Sequence, residues 1–202
     1  MSEYTGHDER IINGDVNKSP HFDIVIPMKF SRIWAMPNAL TFTIKPIKDL
    51  VERYVEQAEI IIDPFANQSK YGTITNDLNP DYDTDYHMDA IEFLEILPGN
   101  SADMIILDPP YSNRQVSEHY KSHGKKITGW HTGAGWMSKI KNETARILKN
   151  GGIALVCGWN SNGIGITRQF KMLEILLVPH GGSKNDTIVT VERKCIIQNK
   201  LL

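Results

Sequence analysis

Ala102-Asp103-Met104-Ile105-Ile106-Leu107-Asp108-Pro109-Pro110-Tyr111 is the stretch from which the rest of the chain can be read. Met104–Leu107 is an unbroken apolar run, too short for a helix and without the alternation of a half-exposed strand. Such a run, ended by a double proline, predicts a strand over Ala102–Asp108 buried on both faces, as in a parallel sheet covered by helices. In sheets of that kind ligands bind beyond the carboxyl ends of the strands. The polar residues directly after Leu107 are therefore the first site candidates.

Working outward, strand-like and helical patterns alternate. Upstream, Lys45–Gln57 carries Ile47, Leu50, Val51, Tyr54 and Val55 at helical spacing, with Pro46 suited to a first turn. Short strands are predicted over Glu59–Asp63 and Gly72–Asp77. A helix is predicted over Met88–Leu97, ended by Pro98-Gly99. Downstream, a helix over Trp136–Lys149 is expected to close on Asn150-Gly151-Gly152, followed by a buried strand at Ile153–Cys157. Strands Met172–Val178 and Thr187–Arg193 flank His180–Asp186 as an antiparallel hairpin. The order implies an α/β fold, with a seven-stranded, mostly parallel sheet ending in that hairpin. Residues 1–30, polar with one apolar run at Ile24–Ile26, read as an N-terminal extension, and residues 31–202 as one domain.

Composition narrows the class. The 202 residues are 41% hydrophobic with a formal net charge of −2, which fits a globular domain and excludes a strongly basic nucleic-acid coat protein. Cys157 and Cys195 have neither disulfide-framework nor metal-type spacing, which fits a reducing cytosol. The start, MSEYTGHDER, has no basic-then-apolar signal pattern, and no apolar run approaches membrane length. His87, His119, His123, His131 and His180 make no ligand pattern with carboxylates or thiols, so no metal is expected.

Asp108-Pro109-Pro110-Tyr111 suggests a specific chemistry. An aromatic exocyclic amine is a poor nucleophile because its lone pair is delocalised into the ring. Two acceptors aimed at its two N–H bonds favour a more tetrahedral nitrogen. The Asp108 carboxylate and the Pro109 carbonyl can be that pair, and consecutive prolines hold the carbonyl in place. Tyr111 offers a face for a base rotated out of its stack. The alternative reading is a proline-rich turn closing a strand.

This tetrapeptide at a strand end resembles the catalytic motif of the class I amino-methyltransferases, especially the N6-adenine DNA methyltransferases. The resemblance covers roughly residues 40–195 and implies a Rossmann-like fold with S-adenosylmethionine as cofactor. The family's cofactor motif, Asp-Pro-Phe-x-Gly-x-Gly, is matched by Asp63-Pro64-Phe65, while Asn67 and Ser69 stand where its two glycines belong. Asn tolerates left-handed backbone conformations, so Asn67 can substitute. The resemblance gives Asp77 to the ribose hydroxyls and Asp89 to the cofactor adenine. It also places Phe42 and Thr43, in Thr41-Phe42-Thr43-Ile44-Lys45-Pro46, beside the cofactor. Alternatives for these residues are a turn at Asp77, a helix N-cap at Asp89 and a plain helix start at Lys45-Pro46.

Trp159 and Asn160 in Gly158–Gly163, and His180 in His180-Gly181-Gly182, are candidates for shaping the base pocket. Similar stretches occur in the short viral methyltransferase-like proteins that the chain resembles. Arg114, Lys121, Lys125 and Lys126, interleaved with aromatics in the segment Ser112–Trp136, suit a phosphate-contacting loop. The expected partner is DNA, with RNA as the other polymer, in the cytosol of a prokaryote or a virus-infected cell. A restriction-modification setting and a dimer both stay open. The enzyme alternatives are N4-cytosine in DNA and guanine N2 in RNA. A catalytically degenerate binding module on the same fold is the alternative of another class.

Overall fold

A computed structural model describes residues 27–124, 129, 134–182 and 185–195. Lys125 and Lys126, and nearly all of the N-terminal extension, lie outside the described residues. Seven strands form one sheet: β1 Lys29–Arg32, β2 Ile61–Asp63, β3 Ile74–Thr75, β4 Ala102–Leu107, β5 Leu148–Gly158, β6 Phe170–Val178 and β7 Thr187–Lys194. Their order is β1-β6-β7-β5-β4-β2-β3. Only β7 runs against the others, pairing antiparallel with both β5 and β6. The α/β architecture with a terminal antiparallel hairpin is as the sequence implies. One strand was not foreseen. β1 starts at Lys29, two residues before the expected domain boundary, and pairs parallel with β6 from Lys29↔Glu174 to Arg32↔Leu177. Its sequence, KFSR, has no apolar run, because its partner supplies the backbone ladder and its side chains are mostly exposed.

Among the described residues the α-helices are α1 Lys45–Val55, α2 Ala90–Ile96, α3 Asn113–Ser122 and α4 Ala134–Ile147. Strand β4 explains their division into two layers. Its side chains alternate between the sheet faces. Met104 and Ile106 pack with Ile47, Leu50 and Val51 of α1, and Ile105 and Leu107 pack with Phe93, Leu94, Ile140 and Ile147 of α2 and α4. Each of these four strand residues is fully buried. Burial of one such side chain is worth about 1.5–3 kcal/mol, so β4 is anchored from both sides.

Two local expectations are corrected. Asn150-Gly151-Gly152 does not cap α4, because the helix passes directly into β5. Leu148 pairs with Ala102 and Ile153 with Met104, and the residues between are absorbed by a bulge with Gly151 at φ 82°. The segment after Tyr111 is not a loop throughout. Ser112 caps α3 by accepting the Gln115 N–H at 3.2 Å, and helix follows as far as Ser122.

Candidate active site

Strands β2, β3, β4 and β5 are mutually parallel, so their carboxyl ends meet along one edge of the sheet. Asp63, Asp77, Asp108 and Trp159 stand at or just beyond those ends. The turn Asp108–Tyr111 divides two cavities there. The first, 420 Å³, is lined by Asp108 together with Thr41, Phe42, Thr43, Phe65, Asn67 and Ser69. The second, 310 Å³, is lined by Pro109, Pro110 and Tyr111 with Trp136, Lys141, Cys157, Trp159 and Asn160. One four-residue turn thus contributes to both cavities.

On the side of the first cavity, polar groups are positioned closely. Thr41–Thr43 forms a short 3-10 turn just before α1, and the Thr43 hydroxyl donates to the Leu40 carbonyl at 2.7 Å. Asn67 adopts φ 49°, the left-handed conformation that a glycine would otherwise supply. Its N–H donates to Asp77 Oδ2 at 2.9 Å. Asp63 is fully buried. Its Oδ1 accepts the Phe65 N–H at 3.2 Å, and among the described residues no donor stands within ideal hydrogen-bond geometry of its Oδ2. Burial pushes the Asp63 carboxyl up to about 8; the Phe65 N–H and the Ser69 hydroxyl oppose the rise, and the negative charges of Asp108 and Asp77 add to it. Asn67 Oδ1 is a second buried acceptor without a donor. Pro64 contributes its carbonyl to Asn76 Nδ2 at 3.1 Å.

Asp77 and Asp89 do not line this cavity. They border a crevice of only 20 Å³, which shares Phe65 with it and is closed by His119 and Tyr120 of α3. Asp77 also accepts the Asn79 N–H at 2.8 Å. Asp89 is the N-cap of α2, accepting the Ile91 N–H at 2.8 Å, and its other oxygen accepts the Tyr120 hydroxyl. The capping alternative for Asp89 is thus realised.

Asp108 is half-buried, and loss of hydration raises its carboxyl above the usual range, opposed by hydrogen bonds from Tyr111 and Thr41. The Tyr111 hydroxyl donates to Asp108 Oδ1. Its ring meets Trp159 edge-on, with centroids 5.8 Å apart and planes at 67°. Tyr111 is thereby held in one orientation, and its ring lines the second cavity together with that of Trp159, 40% exposed.

His180 is corrected as well. It is buried, lines neither cavity, and spends both ring nitrogens on the Ala35 carbonyl at 2.9 Å and the Thr187 hydroxyl at 2.8 Å. Arg114 and Lys121 lie on α3, and Arg114 is paired with Glu118 at 2.7 Å on the exposed surface. Three residues at the site were not anticipated. Thr41 reaches Asp108, Lys141 lines the second cavity, and Glu192 of β7 holds the loop after β5 through the N–H groups of Ile164 and Gly165. A lysine among Trp136, Met137 and Ile140 on one helix was the available signal for Lys141.

The chain's likeness to known proteins is one of shape. It resembles 1,6-didemethyltoxoflavin-N1-methyltransferase of Burkholderia thailandensis, with a TM-score of 0.52 and 10% identity over 75% of this chain and 78% of that one. The N-methyltransferase NodS of Bradyrhizobium japonicum WM9 gives 0.50 and 9% over 75% and 96%. NSun6 of Pyrococcus horikoshii gives 0.50 and 17% over 73% of this chain and 51% of that one. The fold is Rossmann-like, of the class I methyltransferase type. The sequence itself matches no protein-family model and no curated protein.

Proposed function

We propose that the chain is an S-adenosylmethionine-dependent methyltransferase acting on the exocyclic amine of a base, with N6 of adenine in DNA as the leading target. The observation that carries this reading is the turn Asp108–Tyr111, which contributes to a carboxylate-bearing cavity on one side and an aromatic one on the other. A transfer reaction needs its donor and acceptor to meet at one set of groups.

The first cavity suits the cofactor. Among the described residues Asp63 Oδ2 and Asn67 Oδ1 are buried acceptors without a hydrogen-bond donor, and Asp108 in the lining, joined by nearby Asp63 once that carboxyl ionises, favours a cation. S-adenosylmethionine, when bound, supplies a methyl group on a positively charged sulfur. Phe42, Thr43, Phe65, Asn67 and Ser69 would hold its methionine half. Asp77 and Asp89 would face its adenosine half once Tyr120 releases Asp89, since 20 Å³ cannot admit a nucleoside.

In the second cavity Trp159 stacks on the target base and Asn160 borders it. The carboxylate of Asp108 and the carbonyl of Pro109 accept the two amine hydrogens, freeing the nitrogen lone pair. Tyr111 and Thr41 hold that carboxylate in one orientation, and it is also the nearest acceptor for the proton that the amine loses. Arg114 and Lys121, with Lys125 and Lys126 in the same segment, would meet phosphates. A small heteroaromatic amine is the second reading, favoured by a cavity near the lower end of small-molecule pockets, about 300–1,000 Å³.

Calorimetry with S-adenosylmethionine tests the cofactor, with binding expected and none contradicting the reading. Transfer of a labelled methyl group to DNA, RNA or free heteroaromatic amines then separates the substrates.

A further inference from the structure

Lys141 is a cation without a bound anion. It lies on α4 and lines the second cavity with Trp136, Tyr111, Trp159 and Asn160, and none of that cavity's lining residues is acidic. Among the described residues no ion pair or hydrogen bond engages its ammonium group. The carboxylate that acts on it is Glu192, which is 2% exposed and already accepts the N–H groups of Ile164 and Gly165, the latter at 3.1 Å. Arg168, close enough to repel Lys141, is occupied by Asn142 at 2.7 Å and Ser138 at 2.9 Å. Burial first, and then Arg168, lower the Lys141 pKa, with Glu192 opposing. A partly dehydrated ammonium gains strongly from an anionic ligand that restores its hydrogen bonds.

We infer that Lys141 binds the phosphate of the nucleotide whose base enters the second cavity. The inference rests on the reading of that cavity as the acceptor site and makes it a nucleotide site, selective against free bases and uncharged amines. Trp159 takes the ring and Lys141 the charge. A cavity of 310 Å³ suits one such unit better than a duplex.

The test uses adenosine and adenosine 5′-monophosphate as probes of the full-length protein, followed by tryptophan fluorescence, since Trp136 and Trp159 line the cavity. The monophosphate is expected to bind about tenfold tighter than the nucleoside, the effect of one charge-assisted hydrogen bond. Lys141→Met should bring the monophosphate to the affinity of adenosine and leave adenosine unchanged, while Lys141→Arg should keep the preference. Equal affinities in the wild type, binding of neither probe, or a Lys141→Met variant that weakens both alike would overturn the assignment. Failure of the methyltransferase reading looks different: the preference for monophosphate persists while no methyl group reaches any nucleic acid.

Discussion

The two cavities that share the Asp108–Tyr111 turn differ in chemistry. One is lined by charges of both signs, Asp108 and Glu52 with Lys48 and Lys70, beside Asn67 and Ser69, and the buried Asp63 lies outside that lining. The other sets aromatic rings and one ammonium group around a space without acidic residues. In the first, Asp108 offers a partner to a cation; the second suits a flat ring carrying negative charge. The contrast shows how a single turn can serve two unlike ligands: Asp108 faces the first cavity, and Pro109 to Tyr111 face the second.

The sharpest way to break this contrast is at the turn. Asp108→Ala should lower kcat by roughly 10²–10³-fold, the scale of removing one preorganised electrostatic partner. Affinity for S-adenosylmethionine should stay within a few-fold. Methylation at the wild-type rate would remove Asp108 from the chemistry.

Asp63 offers a test by pH. Its folded carboxyl titrates at about 8, above the ordinary 3.8 of an aspartate, so the native protein holds a proton that the unfolded chain has released between those values. Stability from this group is therefore present at low pH and falls as pH rises toward about 8. Asp63→Asn should lack that fall, so its Tm relative to wild type should rise between pH 5 and pH 8. Cofactor affinity in the wild type should increase over the same range, because a cation favours the ionised carboxylate. In the variant affinity should be flat with pH and roughly 10–100-fold weaker. Parallel pH profiles for the two proteins would contradict the electrostatic account of the first cavity.

Trp159→Ala probes the second cavity. Base–aromatic stacking is worth about 1–3 kcal/mol, so KM for the nucleic acid should rise roughly 5–100-fold with cofactor affinity unchanged. A change in cofactor affinity instead would merge the two cavities into one functional unit. Arg114→Ala should have the smallest effect. Its pair with Glu118 is exposed, so Tm should not move measurably. Nucleic-acid affinity should drop a few-fold, with the salt slope smaller by about one.

The strand β4 and the position of Asp108 were legible because four apolar residues before two prolines leave few structural choices. Asn67 was legible for a related reason: few side chains other than Asn accept its backbone conformation. What the sequence hid depends on tertiary placement. The polar stretch of β1 becomes a strand only through the ladder of β6. Lys141 is one of several polar residues on α4 until the fold turns it toward a cavity. Glu192 reads as the charged end of a strand, yet it folds inward because the loop Ile164-Gly165 brings two N–H groups to it. The role of Tyr111 depends on side-chain direction, which a motif does not encode.

The most direct test of the central claim is to incubate the protein with methyl-labelled S-adenosylmethionine and DNA or RNA, digest the polymer, and identify the labelled nucleoside by mass spectrometry. The account predicts label on an exocyclic amine, foremost as N6-methyladenine in DNA, and its loss in Asp108→Ala. Label on a ring carbon, or no labelled nucleoside from a protein that binds the cofactor, would contradict it.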